Sequence, residues 1–290
     1  SVIFSAGLEE TNPASLKQRF THELKKRIRR YTFISSLQNA SEQFISHKKD
    51  ETDIIAGYPW HSSITRQTFI ALPGLALAVK NNSLYEEVLN TYQKYLRKGM
   101  FPDHIHSNQP VYHSADAPLW FIWTIQHYSK KNIAPSFIWE NFGDTIKAIL
   151  EIYRNPVHSF ITPTPEGLVH TEQENAALTW MDSFVHGQPA VQRAGLAVEI
   201  NALWFNALCF AIELAKAAGD KKFAAEWKKI PEQVSRSFLK TFWNDGHDHL
   251  ADVVQNGQAD WAIRPNMVIA AGLDYSPLTK HQKKSVLSVA

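Results

Sequence analysis

Apolar residues recur at three- and four-residue spacing along nearly the whole chain, and that period constrains the fold most. Ile200, Leu203, Trp204, Ala207, Leu208, Ala211 and Leu214 form the strongest stripe. Side chains at those intervals share one side of an α-helix. Gly219 follows as a C-terminal cap. Leu16, Phe20, Leu24, Ile28 and Tyr31 repeat the pattern behind Asn12-Pro13, an N-cap followed by proline at the first helical position. The same period implies helices over 64–79, 84–95, 117–128, 137–153, 223–238 with a break at Pro231, 265–271 and 278–289. Alternation of period two is scarce, so the expected class is all-α, with about nine helices.

The connections alternate between short and long. Residues 53–63, 99–114 and 155–195 are loops, the last carrying Pro156, Pro163, Pro165, Gly167, Gly187 and Pro189. A loop that long inside a compact domain is usually functional. Such alternation suits a toroid of helical hairpins whose long loops gather at one end. The last apolar period runs to Ala290 without a cap, so a single, incomplete domain over 1–290, truncated at its C-terminus, is expected. Residues 1–12 read as a linker from a preceding domain.

Composition excludes several classes. Thirty basic residues against 28 acidic ones leave a net charge of +2, which argues against a nucleic-acid partner bound by counterion release. The single cysteine, Cys209, rules out an internal disulfide and fits a reducing, cytoplasmic setting. No apolar run reaches the ~18 residues of a membrane-spanning helix, so no membrane partner is expected. Lys25, Lys26, Arg27, Arg29 and Arg30 read as the solvated face of a helix. His104 with His106, and His247 with His249, lack third and fourth ligands, so no metal is expected. No phosphate loop or nucleophile–base order stands out, and no cofactor is implied. Nine Trp, nine Tyr and sixteen Phe allow two readings: platforms for sugar rings, or bulk in a helical core.

Four stretches narrow the choice. The first is Gly57-Tyr58-Pro59-Trp60 with 65–75, Thr-Arg-Gln-Thr-Phe-Ile-Ala-Leu-Pro-Gly-Leu. The second is Ala115-Asp116-Ala117-Pro118-Leu119-Trp120-Phe121. The third joins Leu178-Thr179-Trp180-Met181-Asp182, Arg193-Ala194-Gly195 and Val198-Glu199-Ile200-Asn201. The fourth is Ile263-Arg264-Pro265-Asn266. In order and spacing these resemble the signature blocks of the amylo-α-1,6-glucosidase family of glycogen debranching enzymes, over roughly 53–290. The resemblance implies an (α/α)₆ toroid. It implies inverting hydrolysis of α-1,6-linked glucose at branch points of glycogen or a limit dextrin, the branched α-glucan partner.

Inverting hydrolysis needs a carboxylic acid to protonate the leaving oxygen and a carboxylate base to activate water, ~6.5–9.5 Å apart. The resemblance places the acid at Asp182. Its neighbours Trp180 and Met181 are expected to raise its pKa by excluding water. Read locally, without the resemblance, Asp182 is a loop N-cap. The base is expected beyond Ala290. Substrate contacts are expected from Trp60, Arg66, Gln67, Asp116, Trp120, Trp180, Arg193, Glu199, Asn201 and Arg264. Asp116 reads equally as a helix N-cap, and Glu199 as a first-turn acid favoured by the helix dipole. The family carries Arg-Asp-Thr where this chain has Arg66-Gln67-Thr68. A neutral Gln67 cannot supply the charge-assisted bond to a sugar hydroxyl. The alternatives are a glucoamylase- or trehalase-like enzyme of the same fold and, because of Gln67, a non-catalytic α-glucan-binding protein.

Overall fold

The computed structural model describes residues 12–290. The expected linker over 1–12 therefore lies outside the described residues, except for Asn12. The chain divides at Ile45/Ser46 into two units.

The first unit holds α1 (Pro13–Lys26) and α2 (Phe33–Glu42). Asn12 caps α1 through a 2.9 Å bond from the Ala14 N–H. The apolar period would carry α1 to Tyr31, but extended backbone at Arg27 ends it at Lys26. Thr32 then starts α2 with a reciprocal cap. Its Oγ1 accepts from the Ser35 N–H at 3.1 Å, and Ser35 Oγ accepts from the Thr32 N–H at 2.9 Å.

The division falls within β1 (Ile45–Lys48), whose hairpin with β2 (Glu51–Ile54) opens the second unit from Ser46 onward. The helices follow: α3 (Thr65–Leu72), running into a π-helical turn at Pro73–Leu77, α4 (Asn82–Gln93), α5 (Ala117–Ser129) and α6 (Pro135–Arg154). Next come α7 (Val198–Ala218), α8 (Lys221–Trp227), α9 (Ile230–Phe242), α10 (Asn266–Gly272) and α11 (Lys280–Val289). Eleven α-helices thus stand among the described residues, against the nine that periodicity implies. Helix α2 adds one, and the 223–238 stripe divides in two. The division falls at Lys228-Lys229, and Pro231 sits in the first turn of α9, where its missing N–H costs no helical bond.

Helices α3, α5, α7 and α10 form a row in which each packs on the next, and α4, α6, α8–α9 and α11 lie along it. Helix α7 is the centre. It packs on α5, α6, α8, α9 and α10, and so it is apolar on nearly every side. With 21 residues it is long and apolar enough to cross a membrane, which corrects the sequence reading. Yet 83% of its apolar window is buried inside this unit, as a core helix requires. Gly219 closes it in the left-handed conformation at φ 92°.

The class is mostly α rather than all-α. Short strands stud the long connections. β3 (Ile161–Pro163) pairs with β4 (Val169–Thr171), β5 (Phe184–Val185) with β6 (Gln188–Pro189), and β8 (Trp243–Asn244) with β9 (His249–Leu250). β7 (Leu196–Ala197), β10 (Val253–Gln255) and β11 (Gln258–Asp260) form one antiparallel sheet. Strands of two to four residues are too short to show alternation. The β10–β11 hairpin did carry a signal: Asn256-Gly257, both at positive φ, form the turn.

The aromatics divide between the two readings. Phe69 is fully buried and meets Tyr92, Phe101 and Phe121 edge-on at 4.9–5.2 Å. Buried phenols find carbonyls: Tyr85 donates to Thr124 O at 2.7 Å and Tyr153 to Ala115 O at 2.6 Å. Trp60 and Trp180 stay at the surface, in the long connections.

Gly195 shows how tightly those connections are laid down. Its backbone exchanges two 2.9 Å hydrogen bonds with Thr171. Its φ is +118°, and a Cβ there would lie 2.5 Å from Val254 O. Gly195→Ala is expected to cost about 3 kcal/mol in strain and overpacking, read as a lower midpoint of urea unfolding.

Candidate active site

The long connections feed the N-terminal ends of α3, α5, α7 and α10. Arg66 stands in the first turn of α3, Asp116 just before α5, Glu199 in the first turn of α7, and Asn266 at the start of α10. Hydrogen bonds tie these four ends into two buried clusters.

Arg66 holds the first. Its guanidinium is buried and spends every nitrogen. Nε donates to Asp116 Oδ1 and Oδ2 at 2.8 and 3.0 Å, Nη1 to Asp182 Oδ2 at 2.8 Å, and Nη2 to Ser114 Oγ at 2.9 Å. Ser114 Oγ passes its own proton to Asp103 Oδ1 at 2.7 Å. Burial opposes the charge on Arg66, but Asp116 and then Asp182 outweigh it and hold its pKa above the ordinary value.

An open cleft of about 550 Å³ lies over this cluster. Its lining includes Arg66 and Gln67 from the first turn of α3, and Asp103, His113, Asp182 and Phe184 from the connections before α5 and α7. The structure thus brings Arg66, Gln67 and Asp182 together at one cleft. The apolar enclosure expected for Asp182 is not what surrounds it. Its side chain is 51% exposed and bonded to Arg66. Trp180 instead sends its Nε1 proton to Asn266 Oδ1 at 2.6 Å.

Arg193 holds the second cluster. It donates to both oxygens of Glu199, to both of Asp252 at 3.0 Å, and to Thr179 Oγ1 at 3.1 Å. Burial pushes the Glu199 carboxyl up, against the downward pull of Arg193. Burial likewise opposes the Arg193 charge, but Glu199 and Asp252 prevail and raise its pKa. Arg264 Nη1 adds bonds to Asp252 Oδ2 at 2.8 Å and Asp260 Oδ2 at 2.7 Å.

Several expected substrate contacts are corrected by this burial. Asp116 and Glu199 are fully buried, and each spends its carboxylate on an arginine. Asp116 occupies the N-cap position of α5, as its N-cap reading expects, but its side chain is turned to Arg66 and makes no cap bond. Arg193 and Asn201 are likewise enclosed. Asn201 ties α7 to β4, accepting from Val169 N at 2.7 Å and donating to Val169 O at 3.0 Å. Trp120 is buried on Asp116 through a 3.3 Å N–H bond. These five shape the site from beneath. Trp60, Trp180 and Arg264 retain exposed surface.

The histidines have other partners. His104 Nδ1 lies 3.0 Å from Ser63 O, His106 Nε2 lies 2.7 Å from Asp53 Oδ2, and His247 stacks on Trp261. Among the described residues no group of three or more His, Cys, Asp or Glu is arranged to hold a metal ion. Sequence reasoning missed Asp103, Ser114 and Asp252 as site residues. Asp103 lies beside the His104/His106 pair, which was weighed only as a metal ligand set and set aside.

A family model described as amylo-alpha-1,6-glucosidase matches residues 39–290. The chain belongs to that family. No curated protein matches it in sequence. Among solved structures, it is similar to a rhamnosidase from Klebsiella oxytoca with rhamnose bound, with a TM-score of 0.54 at 14% identity. That match covers 77% of this chain and 40% of the rhamnosidase. A GH78 family rhamnosidase of Bacillus sp. GL1 gives a TM-score of 0.51 at 13% identity, over 71% of this chain and 20% of that one. The chain spans less than half the length of either protein. At such identities the likeness is one of fold.

Asp116 carries the charge that lets Arg66 stay buried. Asp116→Asn leaves that guanidinium with only Asp182 for a counter-charge, and breaking a buried pair this way typically costs ~3–5 kcal/mol. Urea unfolding is expected to show a loss of that order. A variant as stable as the parent would mean that Arg66 finds solvent instead.

Proposed function

We propose that this protein is an inverting glycoside hydrolase that removes α-1,6-linked glucose from branch points of glycogen or a limit dextrin, with Asp182 as the general acid. The observation that carries the reading is the Asp182 carboxylate. It is exposed in a cleft, anchored by the buried Arg66, and set in the Thr-Trp-Met-Asp block of a chain belonging to this family. Arg66 engages Oδ2, so proton delivery to the leaving oxygen falls to Oδ1. The row of α3, α5, α7 and α10, backed by their partner helices, supports an (α/α)₆ toroid. The rhamnosidases of similar backbone are also enzymes of sugar chemistry, which fits a glycosidase scaffold. A cytoplasmic setting is part of the same proposal and rests on the single cysteine.

Gln67 favours a second reading, binding of an α-glucan without hydrolysis. It lines the cleft beside Arg66 and Asp182 and brings no charge where the family has one. Glucose release from a branched limit dextrin by the full-length protein separates the two. Retention of maltooligosaccharides with no glucose released would favour the binding protein.

Two variants refine the assignment. Asp182→Asn is expected to lower kcat by ~10²-fold or more, the usual worth of general acid catalysis, with dextrin binding kept. Near-normal turnover would remove Asp182 from the role. Gln67→Asp restores the charged acceptor and is expected to improve kcat/KM about 5-fold, since a charge-assisted bond exceeds a neutral one by roughly a kcal/mol. Unchanged kinetics in a folded variant would place Gln67 outside the glucose subsite.

A further inference from the structure

Asn266 is fully buried at the first residue of α10, and its carboxamide is used at both ends. Oδ1 accepts the Trp180 Nε1 proton at 2.6 Å. Nδ2 donates to Asp252 Oδ1 at 2.5 Å and approaches Met181 Sδ at 3.4 Å. An ionised carboxylate only accepts. Asp252 therefore dictates which end of the amide faces it, and Oδ1 is left facing the indole.

Asp252 is itself gripped by Arg193 and Arg264, and Arg193 by Glu199 on α7. One line of hydrogen bonds thus runs from α7 through Arg193, Asp252 and Asn266 to Trp180 and Met181. Those are the two residues preceding Asp182. Arg193 also holds Thr179, one step earlier. Arg66 holds Asp182 from the α3 side. The connection that carries these residues is irregular from Asn155 to Ala197 apart from strands of two or three residues. Its course depends on such anchors more than on its own backbone ladder.

We propose that Asn266 is a positioning residue. By fixing Trp180 and Met181 it sets where Asp182 presents its carboxyl, an inference that rests on Asp182 being the acid. Proton transfer requires hydrogen-bond reach of the leaving oxygen, and a displacement near 1 Å can cost up to ~10²-fold.

The test uses Asn266→Leu, Trp180→Phe and the double variant in the full-length protein. Trp180→Phe keeps an aromatic ring but loses the N–H. Two readouts are taken: kcat and KM for glucose release from limit dextrin, and amide hydrogen exchange over residues 176–192. Asn266→Leu is expected to lower kcat by 10- to 100-fold, while KM moves by less than about 3-fold. Exchange over 176–192 quickens, and the middle of α7 stays protected. Trp180→Phe loses kcat in the same direction, and the double variant is no slower than Asn266→Leu, because both changes cut one connection. A Trp180→Phe protein with parental kcat overturns the proposal. So do effects that add in full, or unaltered exchange over 176–192. If Asn266→Leu fails to fold, Trp180→Phe decides alone. If the parent protein releases no glucose, the assignment of Asp182 falls, and the exchange measurement still judges the link: unaltered exchange overturns it.

Discussion

A guanidinium removed from water must meet carboxylates or remain intolerably costly. Arg66 and Arg193 both face that requirement, and the site is organised around how they meet it. Arg66 draws Asp116 from the start of α5 and Asp182 from the connection before α7. Arg193 draws Glu199 from α7 and Asp252 from the turn beside β10. Each arginine thereby joins segments far apart in sequence. Asp116 and Glu199 sit where α5 and α7 begin, so these two carboxylates also lie toward the positive ends of helix dipoles. Buried charge of this kind adds little net stability over well-packed apolar groups. Its effect is to make wrong arrangements costly, because any partner left alone is an unpaired ion in the interior.

That division of labour separates the residues beneath the cleft from those in it. Asp116, Arg193, Glu199 and Asn201 are buried, and their polar atoms are spent on other protein groups: Asp116 on Arg66 and Trp120, Arg193 on Glu199, Asp252 and Thr179, and Asn201 on the Val169 backbone. Asp182 and Gln67 open to the cleft. A family block thus records two kinds of constraint in adjacent positions. Arg193 and Asp182 lie eleven residues apart in one irregular connection, yet one is 3% exposed and the other 51%.

The parts of the fold that depend on neighbouring residues were legible in the sequence. The α7 stripe, its Gly219 cap and the proline-led start of α1 all follow from local sterics. Helix α2 escaped because its apolar residues, Phe33, Ile34 and Leu37, remain exposed and give no buried stripe. The strands escaped because two to four residues cannot display a period. At the site, the blocks marked which stretches mattered, but not which polar side chains turn inward. Glu199 and Asp182 look alike as acids in quoted motifs. Only the packing of α7 against its neighbours decides that the first is enclosed.

The two ends of the helical row carry unequal slack. After α7 the chain turns through Gly219 and Asp220 alone before α8 begins, so an inserted residue there would rotate one helix against another. Before α7 lie more than forty residues of connection, and lengthening such a loop costs only about (3/2)RT ln of the length ratio. Descent with modification therefore has one permissive end and one forbidding end. New loop lengths accumulate over the cleft while the packed row stays put.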